Sequence, residues 1–139
     1  MYSIGMLSKR TGVKVPTIRY YEQVGLLEEA ERSAGNQRRY GARELERLGF
    51  IKHARDLGFP IEAISALITL QNHPDYSCAE ANEIAENQLG DVRARINSLQ
   101  RLERELTRIT DGCSGQGHVD NCYVLASLAD HSRCEADHG

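Results

Sequence analysis

Four cysteines, Cys78, Cys113, Cys122 and Cys134, are the residues of this 139-residue chain best able to do chemistry, and all four lie in its second half. Cys113 and Cys122 flank a loop of eight residues that includes Gly115 and Gly117, short enough to bring both sulfurs onto one ion. Soft thiolates select soft or borderline ions, so Zn²⁺, Cd²⁺, Pb²⁺ and Hg²⁺ are candidates while Mg²⁺ and Ca²⁺ are not. If Cys78 is the third ligand, three thiolates leave less excess charge on a divalent cation than on a monovalent one, and the divalent class is favoured. Two other readings stay open: small buried hydrophobes, or a redox pair in which Cys113 and Cys122 form a disulfide on oxidation. Cys134 with His131 and His138 makes a candidate auxiliary site in a tail that otherwise reads as frayed. His53 and His73 read as a solvated helix residue and a linker residue.

The elements that must position these thiols follow from spacing. From Ala79 to about Thr110 the chain has no proline, and apolar residues fall at Ala85, Leu89, Val92, Ile96, Leu99, Leu102, Leu106 and Ile109. Steps of three and four make a heptad-like seam with one residue skipped near Leu99 to Leu102. At ~1.5 Å per residue such a helix is ~48 Å long, so Cys78 and Cys113 of one chain cannot share an ion across it. A helix that long cannot hide a narrow stripe against so small a domain, and a second copy is its expected partner. Antiparallel pairing would deliver Cys78 of one subunit to Cys113 and Cys122 of the other, giving a homodimer with two bridging sites. Cys78 just precedes the long helix and Cys122 a short one from Tyr123 to about Ala129, where the helix dipole favours thiolate.

The front half has a different character. Residues 1–60 carry 11 Lys+Arg against 7 Asp+Glu, whereas residues 61–139 carry 6 against 13, within a formal net charge of −3. A basic front suits a polyanionic partner that the acidic back could not bind alone. Ser3 caps a first helix through about Thr11 that Gly12 ends, and Pro16 opens a second through about Val24 that Gly25 stops. Two short helices joined by a tight turn form a helix-turn-helix candidate. The polar stretch from Glu31 to Tyr40, with Ala34-Gly35-Asn36 at its middle, reads as a β-hairpin rich in Arg, a wing. Leu45, Leu48 and Ile51 up to Leu57, then Ile61, Ile64, Leu67 and Ile68 after Gly58 and Pro60, predict two further helices closing a core. On the second helix Lys14, Thr17, Arg19, Tyr20 and Tyr21 combine cations, a hydroxyl and phenols; in the hairpin Arg32, Arg38, Arg39 and Tyr40 add charge beside them. That mixture fits phosphate positioning with base-edge contacts in duplex DNA, because Arg can be bidentate to guanine and hydroxyls bond phosphate oxygens.

The run Ile4-Gly5-Met6-Leu7-Ser8, then Val15-Pro16-Thr17-Ile18-Arg19-Tyr20-Tyr21-Glu22, Gly25-Leu26-Leu27 and Gly35-Asn36-Gln37-Arg38-Arg39-Tyr40, resembles the winged-helix front end of the MerR family of transcriptional regulators over about seventy residues. The resemblance implies a dimer on pseudo-palindromic double-stranded promoter DNA, distorted so that RNA polymerase engages widely spaced promoter elements. It also implies DNA contacts at positions matching Arg19, Tyr20, Arg38 and Tyr40. In the metal-sensing branch, a cysteine at the position of Cys78 resembles the divalent sensors rather than the copper and gold sensors. Cys113-Ser114-Gly115 followed by Cys122 is most similar to the lead and cadmium sensors, and the mercury sensor shares the eight-residue loop. His118 is a possible extra ligand, since zinc sensors of the family have a histidine in this loop; a Cys₃His set would suit tetrahedral Zn²⁺.

The expected organisation is mainly α: a winged helix-turn-helix DNA-binding domain at 1–72, a linker and antiparallel coiled-coil dimerisation helix at 73–111, a metal-binding loop and short helix at 112–130, and a flexible tail at 131–139. No apolar run approaches the ~20 residues of a membrane helix, and Met1-Tyr2-Ser3-Ile4-Gly5 is no export signal, so the expected compartment is the reducing cytoplasm. No nucleophile and base pairing, phosphate loop or HExxH arrangement points to an enzyme. The functional expectation is a metal-responsive transcriptional regulator. The alternatives are a thiol-redox regulator and a metal-buffering protein whose basic front serves no DNA.

Overall fold

The computed structural model describes residues 1–32, 35, 38–113 and 115–129, apart from the side chains of Glu31 and Arg38; the candidate auxiliary residues His131, Cys134 and His138 lie outside the described residues. Contacts divide the chain into a first unit, Met1–Gln88, and a second, Leu89–Gly139.

In the first unit, helix α1 (Ile4–Thr11) starts where the Ser3 hydroxyl accepts the Met6 N–H at 3.2 Å, and ends where Gly12 takes φ 77° and donates its N–H to Ser8. Only glycine enters that left-handed region cheaply. Hydroxyls fix the turn that follows: Ser8 Oγ donates to the Val13 carbonyl at 2.6 Å, and Thr11 Oγ1 donates to the Leu7 carbonyl at 2.8 Å while accepting from Val13 N–H at 3.2 Å. Helix α2 (Val15–Gln23) then begins with Pro16 in its first turn, where a missing N–H costs nothing. Strands β1 (Glu31–Arg32) and β2 (Arg38–Arg39) pair antiparallel with Glu31 opposite Arg39, and a bridge between Tyr2 and Tyr40 ties the hairpin base to the start of the chain.

Helix α3 (Ala42–Asp56) begins three residues before the apolar spacing at Leu45 starts, because the Glu44 carboxylate accepts the Gly41 N–H at 2.8 Å and caps it from within. Helix α4 (Ile61–Gln71) follows the Gly58-Phe59-Pro60 break. Leu7, Ile18, Tyr40, Leu48, Ile51 and Ile64 are wholly inaccessible and make the centre of a core drawn from α1 to α4 and the hairpin base.

Helix α5 (Ala79–Asp111) is continuous for 33 residues, ~50 Å at ~1.5 Å per residue. Its first three turns lie in the first unit, where the Cys78 carbonyl accepts the Asn82 N–H at 3.0 Å and buried Gln88 donates Nε2 to the Leu57 carbonyl at 3.0 Å. In the second unit the seam is open: Leu89, Ile96, Leu99 and Leu106 are 46%, 47%, 63% and 60% exposed, while Ile109 is buried. Beyond α5 come a single 3₁₀ turn, Val119–Asn121, which spacing did not predict, and helix α6 (Tyr123–Ala129). Among the described residues, no helix is long and apolar enough to cross a membrane.

Candidate nucleic-acid interface and metal centre

Helix α2 turns two faces in opposite directions. Ile18 and Tyr21, three residues apart, enter the core, which leaves Lys14, Arg19 and Tyr20 exposed and Thr17 half-buried at its margin. In the hairpin Arg32 is exposed and Arg39 half-buried; the Arg38 side chain lies outside the description. Tyr21 and Tyr40 correct the expectation that they face DNA. They are 6% and 0% exposed, and the Tyr40 hydroxyl donates to Glu22 Oε1 at 2.5 Å. Glu22 also accepts the Ala30 N–H at 3.4 Å, so one carboxylate on α2 holds both the approach to the hairpin and its end. The basic side chains of helix and wing are thereby carried on one braced frame, which is what phosphate contacts on either side of a groove require.

The thiols occupy the two ends of α5. Cys78 is exposed and directly precedes its first residue. Cys113 and Cys122 are both partly buried and line a cavity of about 320 Å³ with His118, Val119 and Tyr123. The Cys122 thiol is held below its ordinary range. The largest cause is the backbone N–H of Leu125, opposed by partial burial; the Val124 N–H and a hydrogen bond from the Cys113 side chain add to the lowering. Cys122 therefore caps α6 as a serine would, and the same N–H groups that end the helix favour its thiolate. Two sulfurs lining one cavity, one inclined to ionise, are a donor set that fits a soft cation.

His118 is exposed, and among the described residues no group of three or more His, Cys, Asp or Glu is placed to hold a metal ion. The loop thus presents a pair of candidate ligands within one chain, with exposed His118 lining the same cavity. Sequence alone does not single out three residues that build the loop's floor. Arg108 pairs with Glu105 and donates to the Tyr123 hydroxyl at 2.7 Å, joining the last turns of α5 to the start of α6. Glu105 and Arg108 are three apart on a helix, a spacing that permits their pairing, but nothing local points to Tyr123.

Residues 2–71 match the family model for the MerR HTH family regulatory protein, and residues 45–109 match the model described as MerR, DNA binding. Across 130 residues the chain is 41% identical to the HTH-type transcriptional regulator ZntR of Escherichia coli strain K12, covering 92% of each protein. It is 39% identical over 127 residues to the mercuric resistance operon regulatory protein of Serratia marcescens, covering 91% of this chain and 86% of that one. Among solved structures, the transcription regulator PbrR691 from Ralstonia metallidurans CH34, in complex with lead(II), superposes with a TM-score of 0.79. The two are 36% identical, and the match covers 92% of this chain and 99% of PbrR691.

Proposed function

This chain belongs to the MerR family of transcriptional regulators, and on that premise we propose that it binds promoter DNA as a homodimer and activates transcription when a divalent soft metal ion closes a cysteine site shared between subunits. The observation that carries this reading is that Cys113 and Cys122 line one cavity just beyond one end of a helix whose other end directly follows Cys78. Two antiparallel copies of α5 would set Cys78 of the partner subunit beside that pair and complete a trithiolate. Thiolate softness supports the class Zn²⁺, Cd²⁺, Pb²⁺ and Hg²⁺, as do relatives named for mercuric resistance and solved with lead(II).

In this scheme Lys14, Thr17, Arg19, Tyr20, Arg32, Arg38 and Arg39 position the phosphates and read the groove, with Glu22 and Tyr40 bracing the frame. When the ion is bound it supplies the charge that lets three thiolates approach one another. Closure of the loop onto Cys78 of the partner subunit is then felt along α5, and the Gln88 to Leu57 hydrogen bond links the start of that helix to the α3–α4 turn. A duplex whose deformability sets part of the readout passes from a silent to an active distortion that RNA polymerase can use.

A promoter-reporter titration with each ion in turn tests this. One or more of the four ions should induce, and Cys113→Ser should abolish induction while keeping operator retardation. Full induction in that variant would remove the thiol site, and lost operator binding would remove the separation between reading and sensing. The same placement of two thiols at one cavity favours one second reading, a redox switch. A loss of two hydrogens from Cys113 and Cys122 under mild oxidant, with induction in metal-free medium, would establish it instead.

A further inference from the structure

We propose that Tyr123 is a positioning residue that latches the base of the Cys113 to Cys122 loop and holds both thiols at ligand spacing before an ion arrives, an inference that takes its purpose from the metal-site reading above. Gly112 directly precedes Cys113, and Tyr123 directly follows Cys122. The Tyr123 ring lies against the Gly112 backbone: a Cβ on Gly112 would collide with ring carbons Cδ1 and Cε1, and no side chain could be accommodated there without moving the ring. The residues flanking the two thiols are therefore in direct contact, and the loop is closed at its neck rather than by its sulfurs.

The ring is held in turn. Its hydroxyl accepts a hydrogen bond from Arg108 Nη1 at 2.7 Å, and Arg108 Nη2 pairs with Glu105, whose side chain is 3% exposed. Glu105 and Arg108 belong to the last turns of α5, and the Gly112 N–H just beyond it donates to the Arg108 carbonyl at 3.1 Å, so the latch is fastened to the helix itself. A loop left open would lose its freedom at the moment of metal binding, and that ordering would weaken the site. With the neck closed by folding, the thiols meet the ion already paired.

Cadmium affinity, followed through the thiolate-to-metal charge-transfer band in competition with a chelator, is the first measurement. Tyr123→Ala and Gly112→Ala should each lower it about 10–100-fold, the range seen when groups supporting metal ligands are removed. Tyr123→Phe keeps the ring against Gly112 and loses only the Arg108 bond, so its loss should stay under about 10-fold. The second measurement needs no metal. In a Cys78→Ser, Cys134→Ser background, oxidised glutathione takes two electrons from Cys113 and Cys122, yielding their disulfide and two glutathione thiols, and the equilibrium gives the effective concentration of the pair. Tyr123→Ala should lower it about ten-fold, with Tyr123→Phe intermediate. An effective concentration unchanged in Tyr123→Ala overturns the latch, because a residue that only packs α6 would leave thiol spacing alone. If the effective concentration falls while Cys113→Ser leaves cadmium affinity intact, the latch stands and the metal-site reading fails.

Discussion

The two units of this chain solve the problem of burial in opposite ways. The first completes itself: Leu7, Ile18, Tyr40, Leu48, Ile51 and Ile64 are sealed, and its helix ends are capped by Ser3, Gly12 and Glu44 from within the same unit. The second ends unfinished, with four large apolar residues of α5 between 46% and 63% exposed and a pair of thiols that lacks a third ligand among the described residues. A reader of DNA must hold its shape at every moment, so its core is private. A sensor must change when something binds, and in the proposed dimer a seam and a ligand set completed by another molecule would make completion itself the signal.

The largest test of that contrast removes the seam. Burying a fully exposed leucine contributes about 1.5–3 kcal/mol, and the proposed antiparallel pair of α5 helices would cover Leu99 and Leu106, 63% and 60% exposed, from both copies. Leu99→Asp with Leu106→Asp should therefore weaken self-association by roughly 4–7 kcal/mol. Sedimentation should show a monomer, operator retardation should be lost, and the helical signal of the first unit should persist. A dimer surviving the double substitution would mean that the exposed stripe serves something other than a second copy.

A smaller effect probes the closed unit. Tyr40→Phe removes the 2.5 Å bond to Glu22 while leaving the ring in the core, and a hydrogen bond to a charged acceptor is worth about 1.5–3 kcal/mol. The thermal midpoint should fall, by the same amount at high and low protein concentration, since the loss lies within one chain. A shift that vanishes at high concentration would show that the first unit also leans on its partner.

What the sequence made legible divides along the same line between local and distant causes. Ser3, Gly12, Pro16, Gly25 and the Gly58 to Pro60 break act within a turn of themselves, and the helices begin and end beside them. The extent of α5 and the short helix after Cys122 follow equally from spacing and the absence of breakers. Tyr21 and Tyr40 were misread because a phenol suits a groove or a core alike. The sign that decides Tyr21 was present, three residues after Ile18 on the buried face; Tyr40 is decided by Glu22, 18 residues away, and no local pattern reports that partner. Arg108 meets Tyr123 across 15 residues and an unforeseen 3₁₀ turn. The Cys113 and Cys122 pair was legible from its loop length, whereas the residue that closes the loop's neck depends on a tertiary contact.

The subtlest test concerns how far the open unit is prepared for its ligand. Leu125 N–H is the largest influence lowering the Cys122 thiol, and it lies in the first turn of α6, where proline is tolerated because that N–H has no partner within the helix. Leu125→Pro deletes the donor without recharging the site. A thiol whose folded value lies below its unfolded one contributes stability that is present above the unfolded value and fades as pH falls through the folded value. Removing the donor moves the folded value back up, so less thiolate is present at neutral pH and alkylation of Cys122 slows, with the pH profile of the rate displaced toward alkaline. Metal binding should release more protons from this variant than from the parent at the same pH, because more of the thiol is protonated beforehand. An unchanged alkylation profile would mean that Cys122 is not primed by the end of its own helix, and the contrast between a finished reader and a poised sensor would then rest on the seam alone.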